Sequence, residues 1–154
     1  MHRFIMGLVF VLANAGHASA EYTDRQLSHM LSKIQDALSD SNYAKAKPLL
    51  WEVAHMEQEE LAPGCCATIN FDNFQNWTRE VLGYAYLYGK GVQRNERRAK
   101  KFLEQAGTAG YHWLGHYYYD FTSDKSEAKK YWEACVKNKS SSWEACERHI
   151  EEHF

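Results

Sequence analysis

The chain has 154 residues, with 18 Lys and Arg against 20 Asp and Glu and a formal net charge of −2. Phosphate binding rests on clustered basic side chains, and none of the basic runs here is long, so the balance excludes a nucleic-acid partner. Two prolines and an aromatic content of 14% argue for a folded core and against disorder.

Residues 1–20 read as a signal peptide. Met1-His2-Arg3 is a short basic start, Phe4 to Ala15 is apolar, and Ala18-Ser19-Ala20 has the small-x-small form that a signal peptidase accepts. The apolar run is shorter than the roughly 20 residues needed to cross a bilayer. Cleavage before Glu21 is expected, leaving a periplasmic or secreted chain, 21–154, that forms one domain without a membrane span.

Four cysteines, an even number in an oxidising compartment, predict disulfides. Trp132-Glu133-Ala134-Cys135 recurs eleven residues on as Trp143-Glu144-Ala145-Cys146, with the helix-breaking stretch Asn138 to Ser142 midway. One continuous helix would hold the two sulfurs about 16 Å apart. A helical hairpin brings them together, so a Cys135–Cys146 bridge is expected. Cys65 and Cys66 sit beside Pro63-Gly64 in a loop. They form a vicinal bridge, remain thiols, or exchange with the other pair.

The remaining elements follow helical periodicity in chain order. Leu27, Leu31, Ile34 and Leu38 mark the first helix, entered by Thr23 and Gln26 at capping-box spacing. A second helix runs from about Tyr43 to Leu61, with Leu49, Leu50, Val53 and Ala54 on its apolar side; Pro48 kinks it or marks its proper start. Phe74, Trp77, Val81, Ala85 and Tyr88 define a third helix that Gly89-Lys90-Gly91 stops. Asn95 caps a fourth helix burying Ala99, Phe102, Leu103 and Ala106, which ends at Gly107 to Gly110. A short helix follows around Tyr111 to Tyr119, and another from Asp124, with Glu127 at capping-box spacing, to about Lys137. The last begins near Ser141, has Glu144 three residues on, and carries Trp143, Cys146, Ile150 and Phe154 on one side. No alternating strand pattern is found.

Leu82-Gly83-Tyr84-Ala85-Tyr86-Leu87-Tyr88-Gly89-Lys90-Gly91-Val92, followed by Ala99 and Ala106, resembles a Sel1-like repeat, a relative of the tetratricopeptide repeat. Gly83 allows a paired helix to approach, Gly89 and Gly91 open backbone angles closed to other residues, and Ala99 and Ala106 are small where helices cross. Leu114-Gly115 and Ala128 align with Leu82-Gly83 and Ala99 as a degenerate second copy that lacks the Gly-x-Gly-Val turn. Asn42 to Ala54 resembles the second helix of a preceding copy. The resemblance implies an all-α fold: a short right-handed α-solenoid of helix pairs, with units at about 23–61, 73–107 and 111–138 and a C-terminal capping helix at 141–154.

Solenoids of this kind present a surface for recognition and no built-in chemical pocket, so the resemblance implies a non-enzymatic protein-binding module. The expected partner is a secreted effector, neutralised as by an immunity protein, or an envelope regulator served by an adaptor; the unbound chain is expected to be monomeric. Positions not claimed by the core are Glu80, Tyr84 and Leu87 in one unit and His112, His116 and Tyr119 in the next. Each trio has i, i+4, i+7 spacing, and together they form the candidate partner-binding stripe.

His112 with His116, and His149 with His153, have the spacing of two ligands on one helical turn, but no third ligand is evident in the sequence, so no metal is expected. No cofactor motif, His-Glu-x-x-His, Gly-x-Ser-x-Gly or phosphate loop is present. Two other functions stay open. Cysteine-rich Sel1-like proteins are associated with β-lactam binding or hydrolysis, although Ser-x-x-Lys is missing here, and Cys65–Cys66 offers a redox-active or structural role. Asn76-Trp77-Thr78 and Asn138-Lys139-Ser140 match the glycosylation pattern but are discounted in a chain of bacterial type.

Overall fold

The computed structural model describes residues 21–154, so the expected signal peptide lies outside the described residues. Seven α-helices account for most of that span: α1 (Asp24–Ser39), α2 (Tyr43–His55), α3 (Phe71–Tyr88), α4 (Glu96–Gln105), α5 (Tyr111–His116), α6 (Lys125–Lys137) and α7 (Trp143–His153). The fold is all-α. Among the described residues the sole β feature is an isolated bridge between Tyr22 and Leu61.

Local sequence explains most of the helix ends. Thr23 and Gln26 close a capping box at the start of α1. Asn42, Asn70, Asn95 and Asp124 each accept a backbone N–H at the start of α2, α3, α4 and α6. Helix α3 stops at Gly89, whose φ of 70° is left-handed. Helix α7 differs from expectation: it starts at Trp143 behind Ser142, with no side-chain cap.

Two other elements depart from the sequence reading. Helix α2 begins at Tyr43, carries Pro48 inside it and ends at His55, six residues short of Leu61. A proline there removes only the bond to the Ala44 carbonyl, which lies in the exposed first turn. Residues Gln58–Glu60 form a separate 3-10 turn, because Glu60 and Ala62 are diverted to pair with the backbone of Tyr22. Helix α5 is α-helical only to His116 and then widens into a π-helix over Tyr117–Thr122, ended by Ser123 at φ 61°.

Consecutive helices pack on one another along the chain, and α5 also touches α3 and α7. Two glycines admit a buried side chain from the following helix. A Cβ at Gly83 would enter the Leu103 side chain of α4, and a Cβ at Gly115 would enter the Trp132 indole of α6. Leu103 and Trp132 each lie four residues beyond the small residues Ala99 and Ala128, all of them buried. The same helix contact therefore occurs twice, with Leu in one pair and Trp in the other. Gly91 serves a different contact, since a Cβ there would strike the backbone at Tyr43 and Ala44 where α2 begins.

Cys135 and Cys146 are bridged, their Cα atoms 6.3 Å apart, and the bond ties α6 to α7. Cys65 and Cys66 are paired as neighbours in the loop before α3. Both cysteines of the α6–α7 bridge are completely buried.

Two stability outcomes follow. Gly115→Ala overpacks the α5–α6 contact and is expected to lower the free energy of unfolding by about 1–3 kcal/mol in urea titration. Replacing Cys135 and Cys146 together by Ala opens the crosslink and is expected to cost about 2–4 kcal/mol by the same measurement.

Candidate functional site

The six residues of the expected stripe are divided between two sides of α5. Glu80 and Tyr84 of α3 face a groove of about 380 Å³ whose other walls are Leu38, Tyr43, Trp77, Val81 and Trp113. The helical period places Trp77, Glu80, Val81 and Tyr84 along one side of α3, and the start of α2 and Trp113 of α5 close the groove from either flank. Tyr84 is the hub. Its ring centroid lies 5.8 Å from Tyr43, 5.2 Å from Tyr88 and 4.6 Å from Trp113.

Two stripe positions are corrected. Leu87 is completely buried in the first core cluster, where a purely apolar side chain gains most. His112 is only 7% exposed, turned toward α6 and α7 with its Nδ1 3.6 Å from Cys146 Sγ. His116 and Tyr119 are also covered by α7: His116 Nε2 lies 3.1 Å from His149 Nε2, and the Tyr119 hydroxyl lies 3.3 Å from His153 Nδ1. The pairing of His116 with His149 spans 33 residues, so no local spacing could reveal it.

Sequence reasoning missed Trp113, Tyr43 and Trp77 as groove residues. Trp113 stands one position after His112 in a helix aromatic on every side, which leaves periodicity no polar face to contrast. Its position 32 residues after Val81, the same spacing that aligns Leu114-Gly115 with Leu82-Gly83, was the available signal.

Electrostatics separate the two sides. Burial pushes the Glu80 carboxyl up to about 7, and a hydrogen bond from Trp113 offsets only part of that shift. On the other side, burial lowers the His112 imidazole to about 4, helped by the neighbouring His116 and His149. Burial also lowers His149, again with His116 adding to it. Burial and the nearby Asp120 raise the Tyr88 hydroxyl to about 12.

The Cys65–Cys66 loop lines a separate open cavity of about 380 Å³. Asp24 fixes this loop by accepting the backbone N–H groups of Ala67 and Thr68 at 2.9 and 3.2 Å. Among the described residues no helix is long and apolar enough to cross a membrane. No family model, curated protein or solved structure matches the chain.

The shifted carboxyl predicts a pH dependence of stability. Glu80 ordinarily titrates near 4.5 and in the fold near 7, so the folded chain holds the extra proton between those values. Stability from this group is complete below the lower value and is lost as pH rises through the upper one. Glu80→Gln is expected to flatten that part of the profile, giving a melting temperature a few degrees above the wild-type value at pH 8 and near it at pH 4. Thermal melts by circular dichroism at both pH values check this.

Proposed function

We propose that the protein is an exported, non-enzymatic protein-binding module, built as a short right-handed solenoid of Sel1-like helix pairs with α7 as its terminal cap. The observation that carries the reading is the aromatic groove around Tyr84, Trp113 and Tyr43 with Glu80 in its wall. Aromatic side chains supply large contact area at low conformational cost and are enriched at the energetic centre of protein interfaces. The duplicated glycine contact, Gly83 on Leu103 and Gly115 on Trp132, supports the repeat reading. The bridged Cys135–Cys146 pair supports export.

The groove chemistry selects a particular kind of segment. A partner Lys or Arg laid across Tyr84 and Trp113 gains cation–π attraction and meets Glu80, whose carboxyl ionises once a cation sits beside it. The partner is accordingly a protein presenting a basic side chain flanked by apolar ones: a secreted effector if the role is immunity, an envelope regulator if it is that of an adaptor. A one-to-one complex with an exported hydrolase identifies the first role, and recovery of a membrane-bound regulator identifies the second.

Photo-crosslinking from position 84 in envelope extract, followed by mass spectrometry, tests the groove. A single crosslinked partner is expected from the wild-type background and a loss of at least about ten-fold from Trp113→Ala, the size expected for removing an interface anchor. Equal crosslinking from both backgrounds, at unchanged helicity, rules the groove out.

A further inference from the structure

We propose that His112, His116 and His149 form a binding site for one divalent cation of the zinc class. Each of the three offers a ring nitrogen, and the three ligand atoms lie within 4.8 Å of one another. Two come from successive turns of α5 and the third arrives from α7. The ring centroids make a compact triangle, with sides of 5.0 Å between His112 and His116, 5.6 Å between His112 and His149, and 4.6 Å between His116 and His149.

Those dimensions fit a metal. Zinc bonds to imidazole nitrogen at about 2.0–2.1 Å, so two ligand nitrogens in tetrahedral geometry stand about 3.3 Å apart. His116 Nε2 and His149 Nε2 are already 3.1 Å apart. Bringing the third nitrogen to the same spacing needs a closure of at most about 1.5 Å, within reach of ring rotation.

Proton placement points the same way. His116 Nδ1 lies 3.1 Å from the Asp120 carboxylate, and a carboxylate only accepts, so Nδ1 carries the proton and Nε2 presents its lone pair. This is the carboxylate–histidine arrangement that orients ligands around zinc and supports their basicity. On His112, Nδ1 points to the bridged Sγ of Cys146, a weak acceptor, which leaves Nε2 as the second free nitrogen. With a lone pair on His116 Nε2, the 3.1 Å bond between the two rings places a proton on His149 Nε2, while His149 Nδ1 has no hydrogen-bond partner among the described residues. When a cation takes the Nε2 lone pair, the ring stays a neutral imidazole by carrying its proton on Nδ1, the nitrogen with no other partner.

The surroundings hold the cage in shape. The indole of Trp132 stacks on His149 at 4.9 Å and meets His116 edge-on at 5.6 Å, while its Nε1–H donates to the His112 carbonyl at 3.2 Å. The disulfide fixes α7 one turn away from His149. Three imidazoles leave a fourth coordination position for water or for an incoming ligand. Imidazole donors suit zinc and copper and disfavour magnesium and calcium, which require oxygen.

A competing set, His149, Glu152 and His153, shares one ligand and lies on the exposed side of α7. Variants separate the two. The chain, purified without a histidine tag and stripped by chelator, is titrated with Zn²⁺ calorimetrically and with Co²⁺ by visible absorption. The expected result is one cation per chain, four-coordinate cobalt absorption, and affinity reduced at least about ten-fold by His116→Gln or His149→Gln. Asp120→Ala should weaken binding about 10- to 100-fold, as loss of an orienting carboxylate does, whereas His153→Gln and Glu152→Gln should leave it within about two-fold. Ring-nitrogen NMR of the wild-type chain gives a readout that needs no variant to fold: Nε2 of His112, His116 and His149 should move on Zn²⁺ addition and His153 should not. Absence of saturable binding at one equivalent, or unchanged ring signals, overturns the site. Loss of affinity in His153→Gln with retention in His116→Gln overturns it too, by assigning the cation to the outer face of α7.

Discussion

Much of the C-terminal half depends on one contact, the seating of the Trp132 indole in the space that a side chain at Gly115 would fill. An indole is the bulkiest apolar group available, and burying it completely against backbone gains several times what a small aliphatic pair would. Its one polar atom finds the His112 carbonyl, so the burial leaves no unsatisfied donor. The price is paid in sequence freedom: as long as position 132 is tryptophan, any side chain at position 115 forces the indole to shift.

That contact also determines what α7 meets. With Trp132 lying across α5, the far side of the indole becomes the floor for His149 and His153, which stack on it at 4.9 and 6.2 Å. The Cys135–Cys146 bridge anchors the opposite end of the same hairpin. A terminal helix with a weak N-terminal cap is thereby held by a covalent bond at one end and by aromatic stacking along its length, in place of a large aliphatic face. The first half of the chain uses the ordinary solution: Leu27, Ile34, Leu50, Val53, Leu82 and Leu87 form one apolar cluster across α1, α2 and α3.

These two ways of packing account for what could be read from the sequence. Helices α1 and α4 were legible because apolar periodicity and a side-chain cap agree in each, Thr23 and Asn95 sitting one position before the first helical residue; α3 was legible from periodicity alone, without its cap Asn70, and α6 from its cap Asp124. The Cys135–Cys146 pairing was legible because the repeated Trp-Glu-Ala-Cys tetrads flank a helix breaker. The early end of α2 was not, since it is set by backbone pairing of Glu60 and Ala62 with Tyr22, residues distant in sequence. The stripe was misread where Leu87 and His112 are concerned. Helical spacing states which side chains share a side and is silent on what covers that side, and α7 reaches His116 across 33 residues.

The π-helical segment shows why α5 resisted a periodic reading. Tyr117 and Phe121 pack against the first core cluster, whereas Tyr118 and Tyr119 pack against the second. An α-helix repeating every 3.6 residues directs neighbouring side chains about 100° apart, and here neighbours must serve cores on different sides. Widening the turn at Tyr117–Thr122 changes the register at the place where the chain passes from one cluster to the other. The same segment carries Asp120 to His116 and Tyr88 against Phe121 at 5.8 Å. One irregular turn therefore joins the two cores and carries the acidic partner of a histidine. An aromatic run whose neighbouring side chains serve two cores has no single apolar face for periodicity to reveal.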